Sequence, residues 1–504
     1  MIKTRFAPSP TGELHLGGAR TALFAYLYAK NRGGEFYLRI EDTDRDRLVA
    51  GSIERIIESL NWMGIEAENA GKPIIQSERL EIYKKEAFSL VRAGKAYICT
   101  CSKEKLARDQ EAQIKAKKPA RYEGHCREKF QVTSNKIQVN SKCTNPNVQK
   151  DLELLCKTAD FKLEDMKEGN YVIRMKMPEN GKIIINDLIR GKIEFDAALL
   201  DDQIILKSDG YPTYHLASVI DDHLMGITEV IRSDEWLPST PKHQILYQAF
   251  GWQAPNFAHL PMILGSDRSK LSKRHGATAV LEYRQAGYLP EAVINFMVFL
   301  GWNPKNEQEF FTLEELIREF DLKNINLSPA IFDQQKLDFY NEHYLRQLDP
   351  DELKKRLDVF ADDEFSLLEI ELIQRGGYPN LEIAAKYLKQ LRRKPNYDSE
   401  LLIFKKSDRE KTVKGLEDTK YKILHSALRA TMGRQDTNGW EAENIQKILE
   451  SVVSEGGLSN GDVFWPVRVA LSGEERSPSP VELAVVLGKK ETIERIDRAI
   501  EKLG

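Results

Sequence analysis

Ile2-Lys3-Thr4-Arg5-Phe6-Ala7-Pro8-Ser9-Pro10-Thr11-Gly12-Glu13-Leu14-His15-Leu16-Gly17-Gly18-Ala19-Arg20 moves from a strand, through a broken loop, into a helix. Residues 2–7 suit a short strand, the Pro8-Ser9-Pro10-Thr11-Gly12 run interrupts it, and 16–30 is long, apolar and rich in Ala and Leu. Asn31 and Gly33-Gly34 end that helix. Glu35-Phe36-Tyr37-Leu38-Arg39-Ile40 then reads as a second strand, followed by the acidic Glu41-Asp42-Thr43-Asp44. Ile53, Ile56, Ile57 and Leu60 recur at helical spacing over 52–63. Strand, helix, strand, helix predicts the parallel βαβα start of an α/β fold.

Working outward, 504 residues at ~150 per domain give about three domains. Hydrophobic residues at 41% and charged residues at 30% fit a soluble globular chain rather than a disordered one. No run approaches the ~18 apolar residues of a membrane span, and the N-terminus carries no secretory pattern. A cytoplasmic protein without a membrane partner is the expectation. The net charge of -3 means that any polyanion must be held by local basic patches. Cys99, Cys101, Cys126, Cys143 and Cys156 form an odd, clustered set, which suggests metal more than disulfides.

Helical patterning at 82–92, a short strand at 97–100 and a basic helical stretch through 118 come next, and 130–168 is a polar, exposed insertion. Strand signals occupy 171–176, 182–186, 192–195 and 203–207. The α/β pattern resumes at 213, with a strand at 228–231 and a helix at 241–250. Beyond 276, helices are expected at 292–300, 313–320, 350–360, 381–391, 421–431, 440–453 and 480–503. The expected division is therefore an α/β half at 1–80, an α+β insertion at 81–208, the second half at 209–264, a loop and following region at 265–330, and an all-α region at 331–504.

Glycines 17 and 18 sit where a strand meets a helix N-terminus, where free N–H groups and the helix dipole favour phosphate. Without side chains there, a base or phosphate can approach the backbone, and His15 can donate to a phosphoryl oxygen. A glycine-rich turn with a satisfied histidine is the plainer alternative. Lys270-Leu271-Ser272-Lys273-Arg274, flanked by glycines, suits a loop that closes on a triphosphate and neutralises charge on departing pyrophosphate. A lone basic run is usually a solvated surface loop; paired with the first segment it reads as half of a nucleotide cradle.

These two segments resemble the "HIGH" and "KMSKS" signatures of class I aminoacyl-tRNA synthetases, in the form of the bacterial glutamyl-tRNA synthetases. Arg39-Ile40-Glu41-Asp42-Thr43-Asp44, Tyr214-His215-Leu216-Ala217-Ser218-Val219-Ile220-Asp221-Asp222-His223 and Val230-Ile231-Arg232 resemble that family in the same order. The resemblance implies an α/β, Rossmann-type parallel-sheet catalytic domain at 1–80 and 209–264, an inserted α+β acceptor-binding domain, a KMSKS-like loop and stem-contact region, and an all-α anticodon-binding region. It implies an ATP-dependent glutamate–tRNA ligase: glutamyl-adenylate and pyrophosphate form first, then the terminal ribose of tRNA takes the glutamyl group and AMP leaves. The partners implied are ATP with Mg2+, L-glutamate and tRNA-Glu, with tRNA-Gln left open, and the chain is expected to be a monomer. His15, Lys270 and Lys273 are the implied catalytic residues, with ATP held by Thr11, His15, Gly17, Gly18, Lys270, Ser272 and Lys273.

The implied glutamate pocket is Arg5, Ala7, Ser9, Glu41, Tyr214, Ser218 and Arg232. Those residue types suit a ligand with one ammonium and two carboxylates: Arg5 and Arg232 for the acids, Glu41 for the amine, Ser9 and Tyr214 for orienting hydrogen bonds. Arg232 would select glutamate over glutamine, because a neutral amide leaves the guanidinium uncompensated. Ser218 stands where the family usually has Asn, and its short hydroxyl would reach substrate through water. Asp221-Asp222-His223 is read as ordering the site rather than binding metal. Cys99, Cys101 and Cys126 supply three soft ligands for a structural zinc; Tyr122 is chosen as the fourth on the resemblance, ahead of His125 and Glu128. Unmetallated buried thiols are the alternative. Basic runs at 115–121, 389–394 and 405–414 suit tRNA phosphates. A shortened relative acting on a modified base, and a silent RNA-binding paralogue, are disfavoured by the long helical C-terminus and by intact His15, Lys270 and Lys273.

Overall fold

The computed structural model describes residues 1–118, 120–128, 130–133, 136–139, 169, 171–271, 279–430 and 440–504, excepting the side chains of 130–133, 136–139 and 426–430. Two compact units emerge: 1–282 with 294–334, and 283–293 with 335–504.

In the first unit, strand Lys3–Phe6 feeds helix Leu16–Asn31, which returns to strand Glu35–Ile40 parallel to the first; Ile74–Ile75 extends the sheet. The helix is buried almost all round, from Ala19 and Arg20 to Ala29, which is why its sequence is apolar throughout rather than striped. A second sheet runs in the order Glu229–Ser233, Asn256–Leu260, Lys182–Asp187, Gly191–Asp196, the first three strands parallel and the last antiparallel. The two sheets meet at Lys3: Thr228 N–H donates to Lys3 O at 2.9 Å, and Lys3 N–H to Thr228 Oγ1 at 2.7 Å. Ligands of open α/β sheets bind where strand order reverses, beyond the strands' carboxyl ends. Here that place lies past Phe6 and Ser233.

Strands Ala96–Cys99, Val172–Met175 and Ile204–Leu206 form a separate antiparallel sheet. Strand Lys182–Asp187, within the stretch expected to be inserted, pairs with the second parallel sheet through Phe257 and Asp187. Phe130–Thr133 and Lys136–Val139 form a hairpin inside the region read as unpatterned. Cys143 and Cys156 lie outside the described residues.

The second unit is helical. Helices Pro350–Ala361, Leu381–Leu391, Ala442–Gly456 and Pro480–Leu503 fall where the periodicity predicts them. Helix Arg409–Ala430 starts earlier than the expected 421, its first turn held by Asp408, whose carboxylate accepts from Lys411 N–H at 2.8 Å. Leu367–Gly376 and Asn460–Ser472 were not expected, the latter because Pro466 sits inside it. The long C-terminal helix is broken at Gly488, whose φ of 76° no residue with a side chain adopts cheaply. Within this unit, buried Arg495 ties three helices together by donating to Leu471 O at 2.5 Å and Leu391 O at 2.7 Å, carbonyls near helix C-termini that the helices themselves leave unpaired.

Asp221, on helix Tyr214–Leu224, is fully buried and accepts from Gln76 Nε2 at 2.8 Å, Arg79 Nε at 2.9 Å and Tyr83 Oη at 2.7 Å. It thereby ties segments some distance apart in the chain to that helix. Replacing it with Ala leaves buried donors unpaired, and Asp221→Ala is expected to lower the unfolding free energy by about 3 kcal/mol, read from the urea transition.

Candidate active site

A cavity of ≈ 1010 Å³ opens at the junction of the two parallel sheets and is lined by both distant motif segments. Thr11, His15, Gly17 and Gly18 contribute from one side and Lys270 from the other. Val280 N–H donates to Leu14 O at 2.9 Å, so the chain after the basic segment returns to the opening loop. His15 is the exposed N-cap of helix Leu16–Asn31, with no acidic residue in that helix's first turn to quench its positive end. A Cβ at Gly17 would meet no protein atom within 4 Å, so that side of the helix end is open space. Lys270 is exposed and its ammonium pairs with Glu235. Ser272 and Lys273 lie outside the described residues.

Arg5, Ala7, Ser9, Glu41, Tyr214 and Arg232 line the same cavity. Ser218 does not: it is fully buried, and its hydroxyl accepts from Arg39 Nη2 at 3.2 Å. Arg39, also fully buried, donates to Glu41 Oε1 at 2.9 Å and to Asp222 Oδ1 at 2.6 Å. Arg5 donates to the same Asp222 oxygen through Nε at 3.0 Å. Burial works to raise the Asp222 carboxyl, yet the Arg39 and Arg5 guanidiniums hold it below the usual carboxylate range. Burial dominates at Glu41 and pushes its carboxyl up, in spite of Arg39. Asp221 and Asp222 thus order the floor of the site, as their sequence position suggests.

Arg232 differs from Arg5 and Arg39 in having only neutral partners. Its guanidinium donates to Tyr214 Oη at 2.9 Å, Thr240 Oγ1 at 2.9 Å, His259 Nε2 at 3.1 Å and Trp236 O at 3.3 Å. Two cations below are matched by Asp222 and Glu41, whereas this buried one faces the cavity without a carboxylate against it. Such a group attracts an anionic ligand strongly, because an uncompensated buried charge is costly. Sequence reasoning did not find Arg39, Trp236, Thr240, His243 or His259. Arg39 stands in a quoted motif; His259 takes its role from strand register, and Trp236, Thr240 and His243 from the turn and helix that follow strand Glu229–Ser233.

The cysteines converge as well. The sulfurs of Cys99, Cys101 and Cys126 lie within 4.8 Å of one another, Cys101 and Cys126 at 3.6 Å. Tetrahedral Zn–S bonds of about 2.3 Å place sulfurs about 3.8 Å apart, so the spacing fits a metal. Tyr122 Oη is 3.4 Å from Cys99 Sγ and 3.7 Å from Cys101 Sγ. His125 turns instead to Asp109 at 2.9 Å, and Glu128 to Lys176 at 3.9 Å. Hydrogen bonds from the Cys101 and Cys126 thiols hold Cys99 far below the ordinary thiol range, so a thiolate is favoured there.

The family described as tRNA synthetases class I (E and Q), catalytic domain, matches residues 1–144 and 133–339, and an anticodon binding domain matches 335–500. The chain is 40% identical over 527 aligned positions to the glutamate–tRNA ligase of Dehalococcoides mccartyi strain CBDB1, covering 100% of this chain and 98% of that relative. It is 39% identical to glutamate–tRNA ligase 2 of Thermoanaerobacter pseudethanolicus, covering 99% and 98%. A crystal structure of a glutamate tRNA ligase from Elizabethkingia meningosepticum in complex with its amino acid superposes with a TM-score of 0.82 at 34% identity, covering 100% of both chains.

His215 and His243 touch beside Arg232, Nδ1 to Nε2 at 3.1 Å. Burial, with help from Lys242 and Arg232, lowers His215 from 6.5 to about 4. Between those values the unfolded chain takes up a proton that the folded chain refuses, so this contribution to stability is complete above pH 6.5 and is lost as pH falls toward 4. The urea midpoint of the wild type should therefore fall further across that window than the midpoint of His215→Gln, which has no proton to gain.

Proposed function

The chain belongs to the class I tRNA synthetases of the glutamate and glutamine (E and Q) group, and we propose how its side chains divide the work of a glutamate–tRNA ligase. It is an enzyme that activates L-glutamate with ATP to glutamyl-adenylate and transfers the glutamyl group to the terminal ribose of tRNA. The observation that carries the residue roles is the unneutralised Arg232, which lines the same cavity as the N-terminus of helix Leu16–Asn31.

In this reading Arg232 and Tyr214 hold the side-chain carboxylate of glutamate. Glu41 spends Oε1 on Arg39 and offers Oε2 to the substrate ammonium, while Arg5, Ala7 and Ser9 orient the α-carboxylate end. Ser218 acts at one remove, by fixing Arg39. ATP lies over Gly17 and Gly18, with Thr11 and His15 on its phosphates and Lys270, Ser272 and Lys273 closing from the other side. The α-carboxylate oxygen then attacks the α-phosphorus and pyrophosphate leaves with the bonding electrons. The ribose hydroxyl of tRNA next attacks the acyl carbon, and AMP departs. No covalent nucleophile is needed: His15, the helix N-terminus and the lysines stabilise charge where it develops.

Mg2+ accompanies ATP and screens its phosphates. A structural zinc would be held by Cys99, Cys101, Cys126 and Tyr122, where it would fix the insertion at 81–208, read as the acceptor-binding domain. The catalytic halves at 1–80 and 209–264, the loop and stem-contact region at 265–330 and the anticodon-binding region at 331–504 complete the proposed division. No described helix is long and apolar enough to cross a membrane. The proposal is a cytoplasmic monomer that charges tRNA-Glu; charging of purified tRNA-Gln, assayed beside it, tests whether a second acceptor is used.

Arg232→Ala should raise the KM for glutamate by about 100-fold or more, the scale of a lost charge-assisted bidentate contact, while tRNA binding stays within about twofold. Equal losses in both would sink the pocket assignment. Zinc released by thiol modification should approach one ion per chain in the wild type and fall well below half in Cys126→Ser.

A further inference from the structure

Arg232 is held from behind by a chain of residues running across three parallel strands. It pairs in register with His259 on strand Asn256–Leu260, which in turn pairs with Asp187 at the end of strand Lys182–Asp187 through Phe257. Asp187 Oδ1 accepts the backbone N–H groups of Ile189 at 3.0 Å and Arg190 at 2.9 Å, which fixes the carboxylate. Its other oxygen lies 2.6 Å from His259 Nδ1, and both side chains have 0% exposure. His259 Nε2 lies 3.1 Å from Arg232 Nε.

Hydrogen accounting leaves one arrangement. The Nε of a guanidinium always carries a hydrogen, so His259 Nε2 must accept. A neutral imidazole that accepts at Nε2 carries its proton on Nδ1, which donates to Asp187. The carboxylate therefore selects the tautomer, and the tautomer aims the guanidinium. Asp187 also supplies a negative charge one ring away from Arg232. A carboxylate placed directly on Arg232 would occupy the socket; one placed behind the imidazole balances part of the charge without taking a place in the cavity lining.

We propose that Asp187 and His259 are positioning residues that hold Arg232 in the orientation required for a side-chain carboxylate, and so set the preference for glutamate over glutamine. This rests on the reading of Arg232 as the partner of that carboxylate. Nothing in the motifs of the sequence marks either residue.

Asp187→Asn keeps the Oδ1 acceptor and turns the other oxygen into a donor. Nδ1–H would then face N–H, the imidazole proton would shift to Nε2, and Nε2–H would oppose Arg232 Nε–H. In aminoacylation of tRNA-Glu by the full chain, the KM for glutamate should rise about tenfold, the equivalent of one lost hydrogen bond. The KM for ATP should stay within about twofold, and the ratio of kcat/KM for glutamate over glutamine should fall by about tenfold. His259→Gln, whose amide can accept from Arg232 and donate to Asp187, should recover most of the discrimination that His259→Phe loses. Nitrogen-15 shifts of His259 should report Nδ1–H in the wild type, a readout that does not depend on Asp187→Asn folding. A wild-type Nε2–H tautomer, an unchanged glutamate KM in Asp187→Asn while Arg232→Ala abolishes glutamate use, or parallel rises in both KM values would each overturn the inference. An unchanged glutamate KM in Arg232→Ala would instead remove the reading of Arg232 on which it stands.

Discussion

Two buried guanidiniums sharing one carboxylate oxygen hold this active site together. Arg5 comes from the first strand, Arg39 from the second, and Asp222 from a helix that the chain reaches only after the whole insertion. Burying such charges is expensive, and the expense is offset only if every member keeps its partner and its geometry. That requirement makes the floor of the cavity rigid: neither strand can slide against the helix without stranding a charge. Rigidity at this point matters in the proposed mechanism, where positioning rather than covalent chemistry is what the site offers its substrates.

In the proposed reading, charge balance on the floor also sets the selectivity of the wall. With Arg5 and Arg39 already satisfied by Asp222 and Glu41, the field that a ligand meets is dominated by Arg232, whose hydrogen bonds all end on neutral atoms. A site whose arginines were equally unpaired would attract anions indiscriminately. With the roles proposed for Arg232 and Glu41, one unmatched cation at a fixed distance from an ammonium acceptor measures the length of a dicarboxylic amino acid.

Most of the α/β frame was legible because its signals are local. The first strand, loop and helix are marked by Pro8, Pro10, Gly12 and the apolar run behind Leu16, and they lie where the sequence suggests. The helix Leu367–Gly376 could also have been found: Ser366 and Glu369 form a capping box, a four-residue signature visible in the sequence. Helix Gln334–Gln347 is harder, because it buries only Leu337, Tyr340, Asn341 and Leu345 along a narrow stripe in a polar segment. The cavity residues carried by motifs, Arg5, His15, Glu41, Tyr214 and Arg232, were named in advance. Ser218, Asp187 and His259 were not readable in the same way, since burial and strand register decide what they touch, and no spacing along the chain encodes either.

The strand Lys182–Asp187 gives the insertion an unexpected status. It belongs by sequence to the excursion between the two catalytic halves, yet it is hydrogen-bonded into the catalytic sheet beside Asn256–Leu260 and carries Asp187 to the back of the pocket. The excursion is therefore stitched in rather than hung on. A module exchanged between relatives by recombination would have to be cut ahead of Lys182. A graft made further downstream would unpick an edge of the host's own scaffold, which confines the evolutionary freedom of this region to the segment before that seam.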